Sequence, residues 1–304
     1  MNRKIMLIGS DSFIAGNFIK ACGDDYRIRG ASPVSTRLED ELVLDDMFQL
    51  SAGDFEGVDS VINFAAIVHR PEISDSRLYE RVNHQLPVHL AAAAKEAGAE
   101  HFIQMSTVAV YGPVERISRP TPTAPDNLYG ESKLRADRAL MEMEQNSFRV
   151  SIVRPSMVYG GRAAPGNMMK LIKLCDSPLP MPFRGIQNGR QFAYIGLLTE
   201  ALNSMVSRGA GGVFLVADRE PVSTPRLIRI IRSALGRPEK QFRVPGPARL
   251  VLEKCRPSLY RKLFGSLIID VEDTYRELGL AGSEHHMEKG IEEMVGWYRR
   301  CQRS

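Results

Sequence analysis

No long apolar run is present. Ile5–Ile8 and Val213–Ala217 are among the longest, well short of the ~20 residues that span a bilayer. Cysteine is sparse: Cys22, Cys175, Cys255 and Cys301 lie far apart, with neither CxxC nor metal-ligand spacing. Neither a disulfide framework nor a metal site is therefore expected. An excess of one charge is also missing. Forty Lys and Arg face 36 Asp and Glu, leaving a formal charge of +4 with the basic residues scattered. A nucleic-acid binder usually concentrates its charge on one face. The chain shows no internal repeat and no low-complexity tract, and no signal peptide precedes the first strand-like segment, near Lys4. These absences predict a thiol-reduced, cytoplasmic protein with neither nucleic acid nor membrane among its partners.

What is present suits a large core. The chain has 304 residues, 43% of them hydrophobic and 25% charged, which as a prior suggests about two domains at ~150 residues each. In the first half, short apolar runs alternate with helix-like stretches. Strands are predicted at Lys4–Ile8, Tyr26–Ala31, Val58–Ala66, His101–Ser106 and Arg149–Arg154, the last closed by Pro155. Helices are predicted over Phe13–Ala21, Leu78–Ala97 and about Tyr129–Gln145. Strands alternating with helices make βαβ units and a parallel sheet covered on both faces, an α/β fold. Residues 160–189 then hold five Gly and four Pro, a loop-rich composition. Beyond lie a strand at Gly212–Val216, a helix at Thr224–Leu235 capped by Ser223 or Thr224, and an amphipathic helix at Glu288–Arg300 with the only tryptophan, Trp297. The pattern predicts a nucleotide-binding domain over residues 1–159, to which 190–208 return. A smaller mixed α/β domain follows over 160–304.

Two segments carry chemistry. Met6-Leu-Ile-Gly-Ser-Asp-Ser-Phe-Ile-Ala-Gly16 sits where the first strand turns into a helix, the place where glycines let backbone approach a pyrophosphate. Only Gly9 keeps a glycine of a G-x-x-G-x-x-G loop; Ser12 and Ala15 replace the other two. By itself the segment fits a cofactor loop or an ordinary tight turn. The stronger signal is Tyr129-Gly-Glu-Ser-Lys133 with Ser106-Thr107-Val-Ala-Val-Tyr111-Gly112 upstream. A Tyr and a Lys at i and i+4 share one helix face. The ammonium is then expected to lower the phenol's pKa from its usual ~10, readying it for proton transfer. Thr107 follows a strand of the parallel sheet, at the carboxyl edge where such sheets bind ligands.

At these residues the chain resembles the extended short-chain dehydrogenase/reductase family, in particular its nucleotide-sugar epimerases, dehydratases and reductases. Asp59-Ser-Val-Ile-Asn-Phe-Ala-Ala66, Val82-Asn83, Arg154-Pro-Ser-Met-Val-Tyr159-Gly160 and Gly189-Arg-Gln-Phe-Ala-Tyr-Ile195 are similar to further motifs of that family. The resemblance implies a Rossmann-like doubly wound parallel sheet with a smaller C-terminal substrate domain. It implies Thr107, Tyr129 and Lys133 as the catalytic triad. Gly9, Ser12, Phe13, Ile14, Arg37, Asp45, Phe64, Ala65, Ala66, Asn83 and Pro155 would hold the cofactor together with Tyr129 and Lys133. His69, Thr107, Val108, Ser156, Asn167 and Arg190 would meet the UDP-sugar, with Arg190 on its diphosphate. Asn83 has an alternative as a residue that only orders its helix, His69 as one that packs beneath the substrate loop, and Arg190 as a surface arginine. Members of the family often dimerise, so a homodimer through the helices near 84–97 and 129–145 is a candidate assembly.

Within the family the triad is shared and the surroundings differ. Val108-Ala109 stand where 4,6-dehydratases place Asp-Glu, and neither can act as acid or base. The segments Phe214–Asp218, Pro221–Thr224, Leu235–Pro238 and Leu263–Asp270 resemble a bacterial polysaccharide subgroup, although Leu278-Gly-Leu-Ala281 lacks its usual Trp-x-Pro. That subgroup implies a UDP-4-keto-6-deoxy-N-acetylhexosamine 4-reductase, with a UDP-hexose or UDP-N-acetylhexosamine 4-epimerase as the alternative. A non-catalytic dinucleotide sensor is a third reading, suggested by the reduced glycine loop. Tyr26-Arg-Ile-Arg-Gly-Ala-Ser32 offers no acid for the ribose 2′-hydroxyl of NAD. Arg37, or less readily Arg29, offers a guanidinium to a 2′-phosphate. NADP is thus expected slightly ahead of NAD.

Overall fold

The short apolar runs form strands because both of their faces find cover. Ile5 and Leu7 pack in one core cluster with Phe18, Leu197 and Leu198, whereas Met6 and Ile8 pack in another with Leu86, Leu90 and Ala94. All four strand residues are fully buried. At ~1.5–3 kcal/mol for each fully buried aliphatic side chain, the two clusters supply the main cohesion of the sheet.

The computed structural model describes residues 3–68, 75–162, 166–280 and 287–303. Its strands are β1 (Lys4–Ile8), β2 (Arg27–Ser32), β3 (Asp40–Val43), β4 (Ser60–Asn63), β5 (His101–Met105), β6 (Arg116–Ile117), β7 (Arg149–Pro155), β8 (Val158–Tyr159), β9 (Ala193–Tyr194), β10 (Gly212–Val216) and β11 (Ile268–Ile269). Its helices are α1 (Phe13–Cys22), α2 (Ser76–Tyr79), α3 (Leu86–Glu96), α4 (Leu128–Glu142), α5 (Asn167–Asp176), α6 (Ile195–Arg208), α7 (Thr224–Ala234), α8 (Gly246–Cys255), α9 (Pro257–Phe264), α10 (Glu272–Leu278) and α11 (Met287–Arg303). Seven strands form one parallel sheet in the order β10-β7-β5-β4-β1-β2-β3. The strand order runs outward from β1 to β3 on one side and from β4 to β10 on the other. The crevice between β1 and β4 is therefore the switch point at which such sheets take ligands. This is the Rossmann-like α/β sheet that the sequence predicts.

Two differences matter for the site. The chain returns to the sheet with α6 and then with β10, so the return extends to residue 216 rather than ending at 208. The helix expected over Leu78–Ala97 is interrupted. A π-turn over Glu80–Gln85 separates α2 from α3, and Leu86 N–H donates to the carbonyl of Arg81, five residues back. The C-terminal part is bound to the sheet's loops by the β6–β11 pair. Arg119 reinforces that join with a bidentate contact to Glu277 on α10, at 2.6 and 2.7 Å.

Candidate active site

The first loop is built around one glycine. Gly9 has φ +74°, and a Cβ there would lie 2.9 Å from the backbone nitrogen of Ala65. The stretch after β4 therefore passes directly against the turn after β1. Ser12 caps α1 by accepting the N–H of Ala15 at 3.2 Å, and Phe13 and Ile14 form its first turn. A backbone approach that no side chain blocks, beside a helix N-terminus, fits the pyrophosphate of a dinucleotide. Phe64 is buried and Ala65 and Ala66 are half-buried along the same crevice. Pro155 ends β7 in the buried layer, and Ser156 follows it with a buried hydroxyl that has no partner among the described residues.

A second glycine sets the chemistry. Thr107 leaves β5 in extended conformation and caps the short turn Val108–Tyr111, its Oγ1 accepting the N–H of Ala109 at 3.1 Å. Asn127 caps α4 by accepting the N–H of Gly130 at 2.9 Å. A Cβ on Gly130 would lie 2.8 Å from the carbonyl oxygen of Ala109. The absence of that side chain lets the first turn of α4 rest on the Thr107 turn, and so brings Tyr129 to Thr107. One turn further on, Lys133 is 1% exposed and donates from Nζ to the carbonyl of Met105 at 2.9 Å.

The electrostatics correct one expectation. Lys133 does not leave the phenol of Tyr129 below its usual value. Burial pushes that pKa up to about 12; a hydrogen bond with Thr107 opposes the shift and the charge of Asp137 adds to it. Burial brings Lys133 down to about 8, with Asp137 partly restoring its charge. Both shifts have one origin, since enclosure disfavours whichever form is charged.

Behind Lys133 lies a buried network that the sequence reading missed. Asp137 accepts from Ser106 Oγ at 2.8 Å and from Arg154 Nε at 2.9 Å, and Arg154 Nη1 donates to the hydroxyl of Tyr111 at 2.8 Å. Burial raises the Asp137 pKa, while Arg154 and then Ser106 hold it down. The signal was available: Tyr129, Lys133 and Asp137 repeat at i, i+4 and i+8, one stripe of α4.

The other candidates fall into place less uniformly. Asn83, fully buried in the π-turn, accepts from Ile67 N–H and donates to the Ile67 carbonyl, both at 2.9 Å, and reaches Ser132 Oγ at 3.2 Å. It ties the loop after β4 to α4. Arg37 is exposed with φ +62°, and Asp45 is exposed after β3. Arg29 is committed elsewhere, ion-paired to Asp40 at 2.9 Å. Val108 is half-buried beside Thr107, and Asn167 is exposed at the start of α5. Arg190 is not a free surface arginine, because its Nη1 donates to the carbonyls of Arg261, Lys262 and Gly265 at the end of α9. His69 lies outside the described residues. Among the described residues no cluster of His, Cys, Asp and Glu could hold a metal ion.

A model of the NAD-dependent epimerase/dehydratase family matches residues 28–214. The chain belongs to the NAD-dependent epimerase/dehydratase family. One curated relative, a UDP-glucose 4-epimerase of Vibrio cholerae, is 30% identical over 298 residues, covering 92% of this chain and 90% of its own. A second is an N-acetyl-alpha-D-glucosaminyl-diphospho-ditrans,octacis-undecaprenol 4-epimerase of Escherichia coli O157:H7. It is 26% identical over 84% of this chain and 79% of its own. Among solved structures, the UDP-glucuronic acid 4-epimerase of Bacillus cereus in complex with NAD superposes with a TM-score of 0.78. It is 20% identical, with 98% of this chain and 99% of that one covered. In this family member the turn after β1, the stretch after β4 and the Thr107–Tyr129–Lys133 group converge on one edge of the sheet.

Proposed function

We propose that this family member is an NAD(P)-dependent oxidoreductase of nucleotide-activated sugars that reduces a UDP-4-keto-6-deoxy-N-acetylhexosamine at C4. The observation that carries the reading is the packing of Tyr129 against Thr107, with Lys133 one turn behind, at the carboxyl edge of the sheet. A nicotinamide dinucleotide held at the Gly9 turn would supply, when bound, the hydride that C4 receives. Tyr129 delivers the accompanying proton to O4 from its hydroxyl, and Thr107 holds O4 through its own. A phenol pushed up to about 12 stays protonated at neutral pH, the form a proton donor requires. Lys133, at about 8, is still charged at neutrality and stabilises the phenolate left behind. The Met105 carbonyl holds Lys133 in place, and the nearby charge of Asp137 helps it stay protonated. Val108 and Ala109 bring no acid or base to the sugar, which supports redox at C4 over removal of water.

Gly9, Ser12, Phe13 and Ile14 would receive the pyrophosphate. Ser32 stands at the end of β2, where an acid would select NAD, and its hydroxyl is already 2.9 Å from that of Ser10. With Arg37 open beside it, this edge supports acceptance of NADP as well as the NAD carried by the solved neighbours. Residues 160–189 and 217–304 are proposed to hold the sugar nucleotide. There Arg190 would turn its remaining donors to the diphosphate while Nη1 holds α9.

A second reading, a UDP-hexose or UDP-N-acetylhexosamine 4-epimerase, is favoured by the names of both curated relatives. It requires Tyr129 to start as a base and the cofactor to be retained. Incubation with the 4-keto sugar and NAD(P)H is expected to consume the cofactor stoichiometrically. Conversion of UDP-N-acetylglucosamine to its C4 epimer without added cofactor would sink the reductase and establish the epimerase. No turnover in either assay, with dinucleotide binding retained, would point to the sensor.

A further inference from the structure

Four of the large exposed apolar side chains, Phe242, Leu250, Val251 and Leu259, fall within one short stretch of chain, residues 242–259. Of the eleven large ones exposed among the described residues, six are Leu174, Leu179, Phe242, Leu250, Val251 and Leu259. Backbone hydrogen bonds join their segments: Phe242 N–H donates to Met181 at 2.9 Å and Arg184 N–H to Phe242 at 3.0 Å. α8 contributes no buried residue at all. Its inner side is marked by Arg249, which donates to Tyr260 Oη at 3.2 Å and lies 5.4 Å from the ring centre of Phe264. Leu250 and Val251 are 53% and 61% exposed. A helix of this length is marginal by itself in water; Leu252 packs its inner side against the core, while its outer side, with Leu250 and Val251, stays open.

The charge of the surroundings indicates the covering. Residues 240–262 carry seven Lys and Arg against Glu253 alone. Lys240, Arg243, Lys254, Arg256, Arg261 and Lys262 are exposed, and none has a carboxylate partner among the described residues. The neighbouring acids are already taken, Glu239 by Arg229 and Asp176 by Arg237. A second copy of the chain, meeting this face with its own, would set cations against cations. A soluble polyanion would satisfy the charge and leave Leu250 and Val251 in water. Apolar side chains ringed by Lys and Arg suit a bilayer bearing anionic headgroups, which takes the first into the acyl boundary and the second at the phosphates.

We infer that α8 and α9, together with Phe242, form a peripheral membrane contact that docks on an anionic lipid surface. This differs from a spanning segment, for which no helix among the described residues is long and apolar enough. It also departs from the partner set expected from the sequence, because the face is assembled by folding and shows no long apolar run. The inference is independent of the reaction assigned to the Tyr129 site. Because Arg190 binds the end of α9, a docked hairpin would sit next to the segment proposed to receive the sugar nucleotide.

The test is co-sedimentation of the purified full chain with vesicles of phosphatidylglycerol in phosphatidylcholine, and with phosphatidylcholine alone. The protein is expected to pellet with the anionic vesicles only and to be released by high salt. Leu250→Glu combined with Val251→Glu should weaken that partition by about tenfold or more, with unchanged Tm. Should that variant fail to fold, Lys254→Glu with Lys262→Glu is expected to give a loss of similar size. Equal recovery with both vesicles, no recovery with either, or full binding by the variants would overturn the inference. So would a dimer in sedimentation velocity that the Leu250 and Val251 substitutions convert to monomer, because the face would then belong to a second copy.

Discussion

α4 and α8 are helices of one chain with opposite surroundings. α4 turns Lys133 and Asp137 into protein and leaves Tyr129 half-buried, whereas α8 has no fully buried residue, keeps only Arg249 and Leu252 half-buried on its inner side, and turns Leu250, Val251 and Lys254 to solvent. The difference shows where this protein can place chemistry. Proton transfer profits from groups whose pKa values have been moved, and at Tyr129 and Lys133 the mover is enclosure. Attraction to a charged surface needs the reverse, cations that keep their ordinary charge and remain free to meet a partner.

Substitutions can break that contrast, beginning at α4. Tyr129→Phe keeps the ring and removes the donor, so kcat is expected to fall ~10²–10⁴-fold with dinucleotide affinity and Tm unchanged. A variant that keeps the wild-type rate would remove Tyr129 from the mechanism. Asp137→Ala strands the buried Arg154 guanidinium and is expected to cost ~3–5 kcal/mol in urea unfolding. A cost below about 1 kcal/mol would mean that the network carries little of the fold.

Lys133 gives a pH signature with two opposed directions. Its pKa in the folded protein, about 8, lies below the ordinary lysine value of 10.5. Turnover is therefore expected to fall as pH rises through about 8, where the ammonium is lost. Over the same range upward to 10.5, the unfolded chain holds more protons at this site, so the Lys133 contribution to stability rises. A rate profile that stays flat to pH 10 would show that the ammonium is not needed.

Smaller effects belong to the exposed groups. Arg37→Ala is expected to weaken NADPH binding by roughly 3- to 10-fold and leave NADH unchanged, the lower end of a charge-assisted contact because the side chain is open to water. Equal affinities for both dinucleotides in both proteins would return Arg37 to the surface. On α8, Val251→Ser should shift unfolding by no more than ~0.5 kcal/mol. A larger loss would mean that this helix is packed in solution and would blunt the comparison with α4.

The sheet was legible because its central strands carry short apolar runs, such as Ile5–Ile8, between helix-like stretches. β3, Asp-Glu-Leu-Val at the sheet edge, was not, because half-exposed edge residues carry little pattern. α5 was hidden by the Gly and Pro on either side of it, although Met168, Met169, Ile172 and Cys175 repeat at helical spacing. At the site, the placing of Thr107, Tyr129 and Lys133 could be read, since strand ends and i+4 pairs are local facts. The direction of the Tyr129 shift could not. It depends on enclosure by segments far away in the chain, and no spacing reports that. The carbonyls that Arg190 holds at the end of α9 were hidden for the same reason.

The π-turn at Glu80–Gln85 has a consequence for how this gene can change. Each turn of that kind takes up one residue more than an α-turn, so the helix on one side is out of phase with the other by a single position. Loss of any one codon in the stretch would let the backbone relax into a continuous α-helix. Asn83 would swing off the face from which it holds Ile67 and Ser132. The smallest in-frame deletion available here would therefore unfasten the stretch after β4 from α4, while a substitution at most neighbouring codons would leave the register untouched.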